Sequence, residues 1–212
     1  NHTGDYEKGL RYYREIEKGS DDKYIIANCY HGIGLIYHAQ QIFDKSLEYA
    51  TSSFEIRAEL GDKLLMGYSL NNIGIIYKGL KKYDKAMDYF NRSLAIKEEF
   101  RDQRAISVTL SNIGNIYINN YNLNEAINYH NRALEIREKL NLHFDIGGSL
   151  LNFGTIYFMQ GKYNKSLKNF NKALRIFQNL EDESGNMKIF KKKGVVFFSQ
   201  GEYTKSIENL EK

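Results

Sequence analysis

Five glycines stand forty residues apart along this chain: Gly34, Gly74, Gly114, Gly154 and Gly194. The register around them repeats as well. Three residues after each comes an aromatic ring, Tyr37, Tyr77, Tyr117, Tyr157 or Phe197. Nine after comes Phe43, Tyr83, Leu123, Tyr163 or Tyr203, and twelve after comes a small residue, Ser46, Ala86, Ala126, Ser166 or Ser206. A second small position follows at Ser53, Ser93, Ala133 and Ala173, and Ile56, Ile96, Ile136 and Ile176 close each unit. A fixed period of this length marks tandem units that bury their apolar faces by stacking on their neighbours.

Inside a unit the apolar spacing is helical. Leu70, Ile73, Gly74 and Tyr77 share one helical face, and Ala86, Met87, Phe90, Ser93 and Leu94 share another. Polar breaks separate them, at 79–82 within a unit and at 60–63 between units, where Asp62 is a fair N-cap. Asp102 and Asp182 stand at equivalent places. Each unit is therefore a helix, a short turn and an antiparallel helix. Gly74 and Ala86 predict close approach of the two backbones, which offsets the cost of glycine in a helix, about 0.5–1 kcal/mol. Leu70, Ile73, Tyr77, Met87, Phe90, Leu94, Ile96 and their equivalents are expected inside, with the tyrosine hydroxyls at the rim or on a backbone carbonyl.

Composition narrows the function classes. The 212 residues hold no proline or tryptophan, one cysteine and a net charge of +4. Cys29 alone builds no disulfide framework or cysteine-rich zinc site and fits a reducing, cytoplasmic compartment. No apolar run reaches the roughly 20 residues that span a bilayer, and so mild a charge makes no whole-chain case for a membrane or nucleic acid. Asn1–Gly4 resembles no signal peptide. With no initiator methionine, the chain reads as a fragment of a longer protein, and its Asn, Lys, Ile and Tyr content as bacterial.

No catalytic constellation is present. His31 and His38 lie about 10 Å apart along one helix face, too far to share a zinc, and no HExxH motif occurs. Cys29 has no evident histidine partner in sequence and reads as a structural or semi-exposed thiol. The charges around Glu55, Arg57 and Glu59 read as a solvated helix face. Neither enzyme activity, metal nor cofactor is expected.

The pattern Leu70-x-x-Ile73-Gly74-x-x-Tyr77, then Ala86, Phe90 and Ser93, resembles the tetratricopeptide repeat over nearly the whole chain. The period is 40 rather than the family's 34, and Glu98 stands where the family has its terminal proline. Both features are similar to the extended subclass of kinesin light chains, spindle-orienting G-protein regulators and bacterial signalling regulators. The resemblance implies an all-α fold, a right-handed superhelical solenoid of antiparallel helix hairpins. It would be one domain over 1–212, with full repeats at 23–60, 63–100, 103–140 and 143–180 and partial ones at 1–20 and 183–212. Gly4-Asp5-Tyr6 looks like Gly161-Lys162-Tyr163, so the chain is expected to open on a second helix followed by a shortened linker.

The resemblance also implies a groove lined by the first helices, holding an extended peptide or a partner helix. Two residues before each glycine the sequence reads Gly32, Asn72, Asn112, Asn152 and Lys192. Similar asparagines in the extended subclass grip a peptide backbone, and a side-chain amide offers the donor and acceptor this needs. His38, Lys78, Phe158 and Phe198 share a further groove register; the two rings either receive peptide side chains or pack on neighbouring helices. Some family members hold a carboxylate with five side chains. Asn115, Asn152, Lys188 and Lys192 stand at four of those places, and Ser111 stands at the fifth, where those members have lysine. Either the basic last unit draws an acidic peptide, or it is a solvated face. Two other readings stay open: self-association or docking onto a missing effector domain, and single-stranded RNA held by Lys188–Lys193 with Phe197 and Phe198, which the low net charge opposes.

Overall fold

The computed structural model describes residues 2–211. Asn1 and Lys212, the outer bounds of the expected partial repeats, lie outside the described residues. Among the described residues eleven α-helices follow one another with no strand: α1 (His2–Lys18), α2 (Lys23–Ala39), α3 (Phe43–Glu59), α4 (Lys63–Gly79), α5 (Tyr83–Glu99), α6 (Gln103–Asn119), α7 (Leu123–Lys139), α8 (His143–Met159), α9 (Tyr163–Asn179), α10 (Glu183–Ser199) and α11 (Tyr203–Leu210).

From α2 to α10 every helix has 17 residues and every turn has three, so one helix and its turn make half the repeat. The middle turn residue is always left-handed, with φ between 53° and 77°. In the first such turn the Gln41 N–H donates to the His38 carbonyl and the Ile42 N–H to the Tyr37 carbonyl, both at 2.9 Å. This pair of bonds closes the helix end without proline. Asp62 and Asp102 accept from the backbone N–H groups of Leu65 and Ala105, at 2.9 and 3.0 Å. Asp182 makes no such cap bond; its carboxylate lies over Gly185 instead.

The first linker differs from expectation. Gly4-Asp5-Tyr6 lies inside α1 rather than at a helix start, and four residues rather than three separate α1 from α2. Gly9 consequently packs on Ile36, and Tyr13 on Gly32.

The chain forms two compact units that divide after Thr109. In the first, Ala50, Ile73 and Ile76 form a core cluster with Phe43, Leu47, Phe54, Tyr77, Leu80 and Tyr89 against it. In the second, Phe170, Ala173, Phe177, Ile189 and Val196 do the same. Of the core expected in one unit, Leu70, Ile73 and Phe90 are buried, but Tyr77, Met87, Leu94 and Ile96 are only half-buried. Tyr77 stacks on Tyr89 at 5.3 Å, with the Lys85 ammonium over its outer face, so its ring edges the core.

The glycines make room mainly for rings rather than for backbone. A Cβ on Gly74 would meet the Phe90 ring at 2.7 Å, on Gly154 the Phe170 ring at 2.3 Å, and on Gly114 the His130 ring at 2.8 Å. At Gly34 the equivalent partner is Ala50, and there the α3 backbone does come close, with the Ser46 carbonyl oxygen 3.4 Å from such a Cβ. Where the small residue is serine it also ties the hairpin: Ser46, Ser166 and Ser206 donate to the Gly34, Gly154 and Gly194 carbonyls at 2.7–2.9 Å.

Candidate functional site

In the first unit, α2 and α4 lie side by side and leave an open face. His31 and Leu35 from α2 meet Leu65, Tyr68 and Asn72 from α4 around one pocket, with Arg57 of α3 contributing to its lining. A second, smaller hollow adjoins it, sharing His31, Leu35 and Asn72 and adding His38 and Ile75. One stripe of first-helix residues thus lines a continuous path, because positions three, four and seven apart share a helix face. Asn72 is half-buried, and its Nδ2 lies 3.2 Å from His31 Nδ1. Burial holds the His31 imidazole below its usual pKa, and the nearby Arg57 charge acts the same way. His38 is lowered likewise, by burial and then by Lys78. Lys78 is itself lowered by burial. The His38 ring packs edge-on against Phe43 at 5.7 Å.

The other expected site residues belong to the second unit. Asn112, Asn115 and Asn152 are half-buried on α6 and α8. Ser111 is buried, its Oγ 3.4 Å from His130 Nδ1. Lys188 and Lys192 are exposed one turn apart on α10. The two phenylalanines part company. Phe158 is half-buried against the second unit's core and Tyr163, so it packs on its neighbours. Phe198 is 63% exposed and touches Tyr203 edge-on at 5.6 Å.

Two sets of polar residues escaped the sequence reading. The first is a row of buried cations at one register of the second helices: Arg57, Lys97 and Arg137. Arg57 corrects the expected solvated face, since Glu55 and Glu59 are exposed there while the guanidinium between them is buried. Each cation donates to a hydroxyl twelve residues on, Ser69, Thr109 or Ser149, at 2.6–2.8 Å. Burial brings Lys97 down to about 8. The signal was a basic residue four after each second small position, paired with a hydroxyl, and it is interrupted in the fourth unit by Phe177 and Ile189. The second is His130, fully buried where Phe90 and Phe170 stand in other units and brought down to about 4 by burial.

Cys29 is buried, and burial raises its thiol pKa, with Glu17 adding to the rise. Among the described residues no three His, Cys, Asp or Glu side chains gather in metal-binding range. Nor is any described helix long and apolar enough to cross a membrane.

The sequence profile of the tetratricopeptide repeat matches residues 25–99 and 105–179. No curated protein is matched by the sequence. Among solved structures, the chain is similar to BtubC (BKLC) from P. vanneervenii, at 17% identity and a TM-score of 0.75, covering 98% of this chain and 86% of that one. It is similar to a Rap protein complexed with competence and sporulation factor, at 19% identity and a TM-score of 0.82, covering 93% of this chain and 55% of that one. It is also similar to aspartyl phosphate phosphatase F from Bacillus subtilis, at 15% identity and a TM-score of 0.78, covering 94% of this chain and 62% of that one. The chain therefore spans less than two thirds of the last two proteins. At these identities the likeness is one of fold.

Proposed function

This chain belongs to the tetratricopeptide-repeat family, and we propose that it is a non-catalytic interaction module that holds an extended peptide along its first-helix faces. Stacked helical repeats offer extended surfaces for such contacts. One observation carries the reading: the open face of the first unit, where the half-buried Asn72 amide is poised beside His31 with apolar Leu35 and Ile75 in reach. An amide so placed can exchange its imidazole partner for a peptide N–H or carbonyl. Asn112 and Asn152 offer the same group at the same register of the second unit. The similar fold of a Rap protein complexed with a factor supports a binding role, and the parent protein is read as a bacterial signalling regulator.

The test is a peptide-display selection on the chain, repeated with Asn72, Asn112 and Asn152 all changed to Ala. A motif enriched by the natural sequence should be lost by the variant. If each asparagine supplies about 1 kcal/mol of net hydrogen bonding, affinity falls on the order of 100-fold. Enrichment of the same motif by both proteins would refute the reading.

A second reading, self-association, is favoured by the charges on the exposed faces of the second helices. On α3 that face carries Asp44, Glu48 and Glu55; on α9 it carries Lys168 and Arg175, at the registers of Glu48 and Glu55, together with Lys172, and α9 has no acidic residue. The two stripes are complementary between copies of the chain.

A further inference from the structure

The three buried cations are alike in what ties them and unlike in what balances them. Arg57, Lys97 and Arg137 are 3%, 1% and 5% exposed, and each donates to a neutral hydroxyl. A hydroxyl satisfies a donor but does not neutralise a charge. Where Phe177 and Ile189 take the two places, the same stacking is achieved without a cation, so packing alone does not require one. Lys97 has a further partner, the Tyr68 ring, 5.1 Å from its ammonium, and Tyr68 is held by its hydroxyl on Asp102. Arg137 donates in addition to the Asp145 carbonyl.

Arg57 is held by side chains alone. Its Nη1 donates to Ser69 at 2.7 Å and its Nη2 to Asn28 Oδ1 at 3.0 Å. Asp62 acts on it through its field, but both Asp62 oxygens are engaged, one by the Leu65 N–H and one by the Tyr24 hydroxyl. Asn28 is exposed. Arg57 also helps line the open pocket bounded by His31, Leu35, Leu65, Tyr68 and Asn72.

We infer that Arg57 is the anion seat of the groove, and that it takes a carboxylate of the bound peptide in place of the Asn28 amide. The inference rests on the peptide-groove reading and names the chemistry that groove selects. Exchanging a neutral oxygen for a charged one roughly doubles the strength of such a bond, and a guanidinium keeps its charge where an ammonium readily loses it on burial. Burial disfavours the charged form of the His31 imidazole, so it is the weaker of the two as a partner for an anion. The position lies on a second helix of the first unit, whereas Lys188 and Lys192 belong to the second. Those lysines are exposed, and solvent screens most of what they offer an anion.

Asn28→Asp tests this without removing the cation, because it sets a built-in carboxylate beside Arg57. Peptides selected on the natural sequence are synthesised as such, with each Asp or Glu changed to its amide, and with an amidated C-terminus. One of these changes should cost about tenfold in affinity on the natural protein and nothing on Asn28→Asp, and which change it is tells side chain from terminus. Asn28→Asp should bind the parent peptide about tenfold more weakly. Asn28→Ala, which removes the competing acceptor and adds no charge, should bind it more tightly. An equal loss on both proteins from the carboxylate-to-amide change, or Asn28→Ala weakening binding as Asn28→Asp does, would overturn the inference. Peptides that bind with every carboxylate dispensable would overturn it while sparing the groove; a selection that enriches nothing would end both.

Discussion

His130 occupies a place that two other units give to phenylalanine. It is fully buried, its ring meets Phe153 edge-on at 6.1 Å, and its Nε2 has no partner. Burial, and then the positive charge of Arg137, bring its pKa down from 6.5 to about 4. The unfolded chain therefore takes up a proton near pH 6.5 that the folded chain refuses until about pH 4. Stability from this group is complete above pH 6.5 and is lost as pH falls toward 4, by on the order of 3 kcal/mol in all. His31 and His38 shift in the same direction, so the comparison needs a variant. His130→Phe should remove most of the acid sensitivity and stabilise the chain at pH 5 more than at pH 7. Urea unfolding of both proteins at the two pH values measures it, and parallel slopes would contradict it. Nothing in the sequence around His130 separates it from an exposed histidine; only its register, sixteen residues after Gly114, does.

Between elements, the repeating glycines do unequal work. Gly154→Ala would bring a Cβ to 2.3 Å from the Phe170 ring, so it should destabilise by about 1–3 kcal/mol through overpacking. Gly34→Ala meets nothing nearer than 3.4 Å, so it should be neutral or stabilising by up to about 1 kcal/mol of helix propensity. Thermal unfolding of the two variants decides the point, and equal shifts would contradict it. The hairpins themselves were legible because helix periodicity and a 40-residue period agree at every unit. The turns were less so. Left-handed residues fall every twenty positions, yet only Gly61, Gly161 and Gly201 are glycines, while Gln41, Lys81, Arg101, Tyr121, Asn141 and Glu181 adopt the same φ. The paired backbone bonds at each helix end hold them there, and that constraint belongs to the turn rather than to the residue. The first linker was misread for a related reason: Gly4-Asp5 looks like a turn but sits in a helix.

For the whole chain, the registers were legible and their electrostatics were not. Asn72, proposed to hold peptide, lines an open pocket of the first unit. Lys188 and Lys192, the cations expected to draw acidic groups, are exposed, and the buried charges at Arg57, Lys97 and Arg137 were not read from the sequence. Those residues sit among glutamates and lysines in sequence, and only stacking of one hairpin on the next buries them. The opposed stripes of α3 and α9 make a separate prediction. If copies of the chain associate through them, mass should rise with concentration at low salt and return to that of one chain above about 0.3 M salt, where screening is short-ranged. Sedimentation at two ionic strengths checks this, and a constant single-chain mass at low salt would contradict it. The central claim is that side-chain amides on the first helices hold peptide backbone. Its most direct test follows the side-chain amide resonances of Asn72, Asn112 and Asn152 by NMR while a display-selected peptide is titrated in. All three should shift along one saturation curve as their hydrogen bonds are exchanged for peptide ones. A peptide that saturates the protein and leaves those three resonances in place would contradict the account.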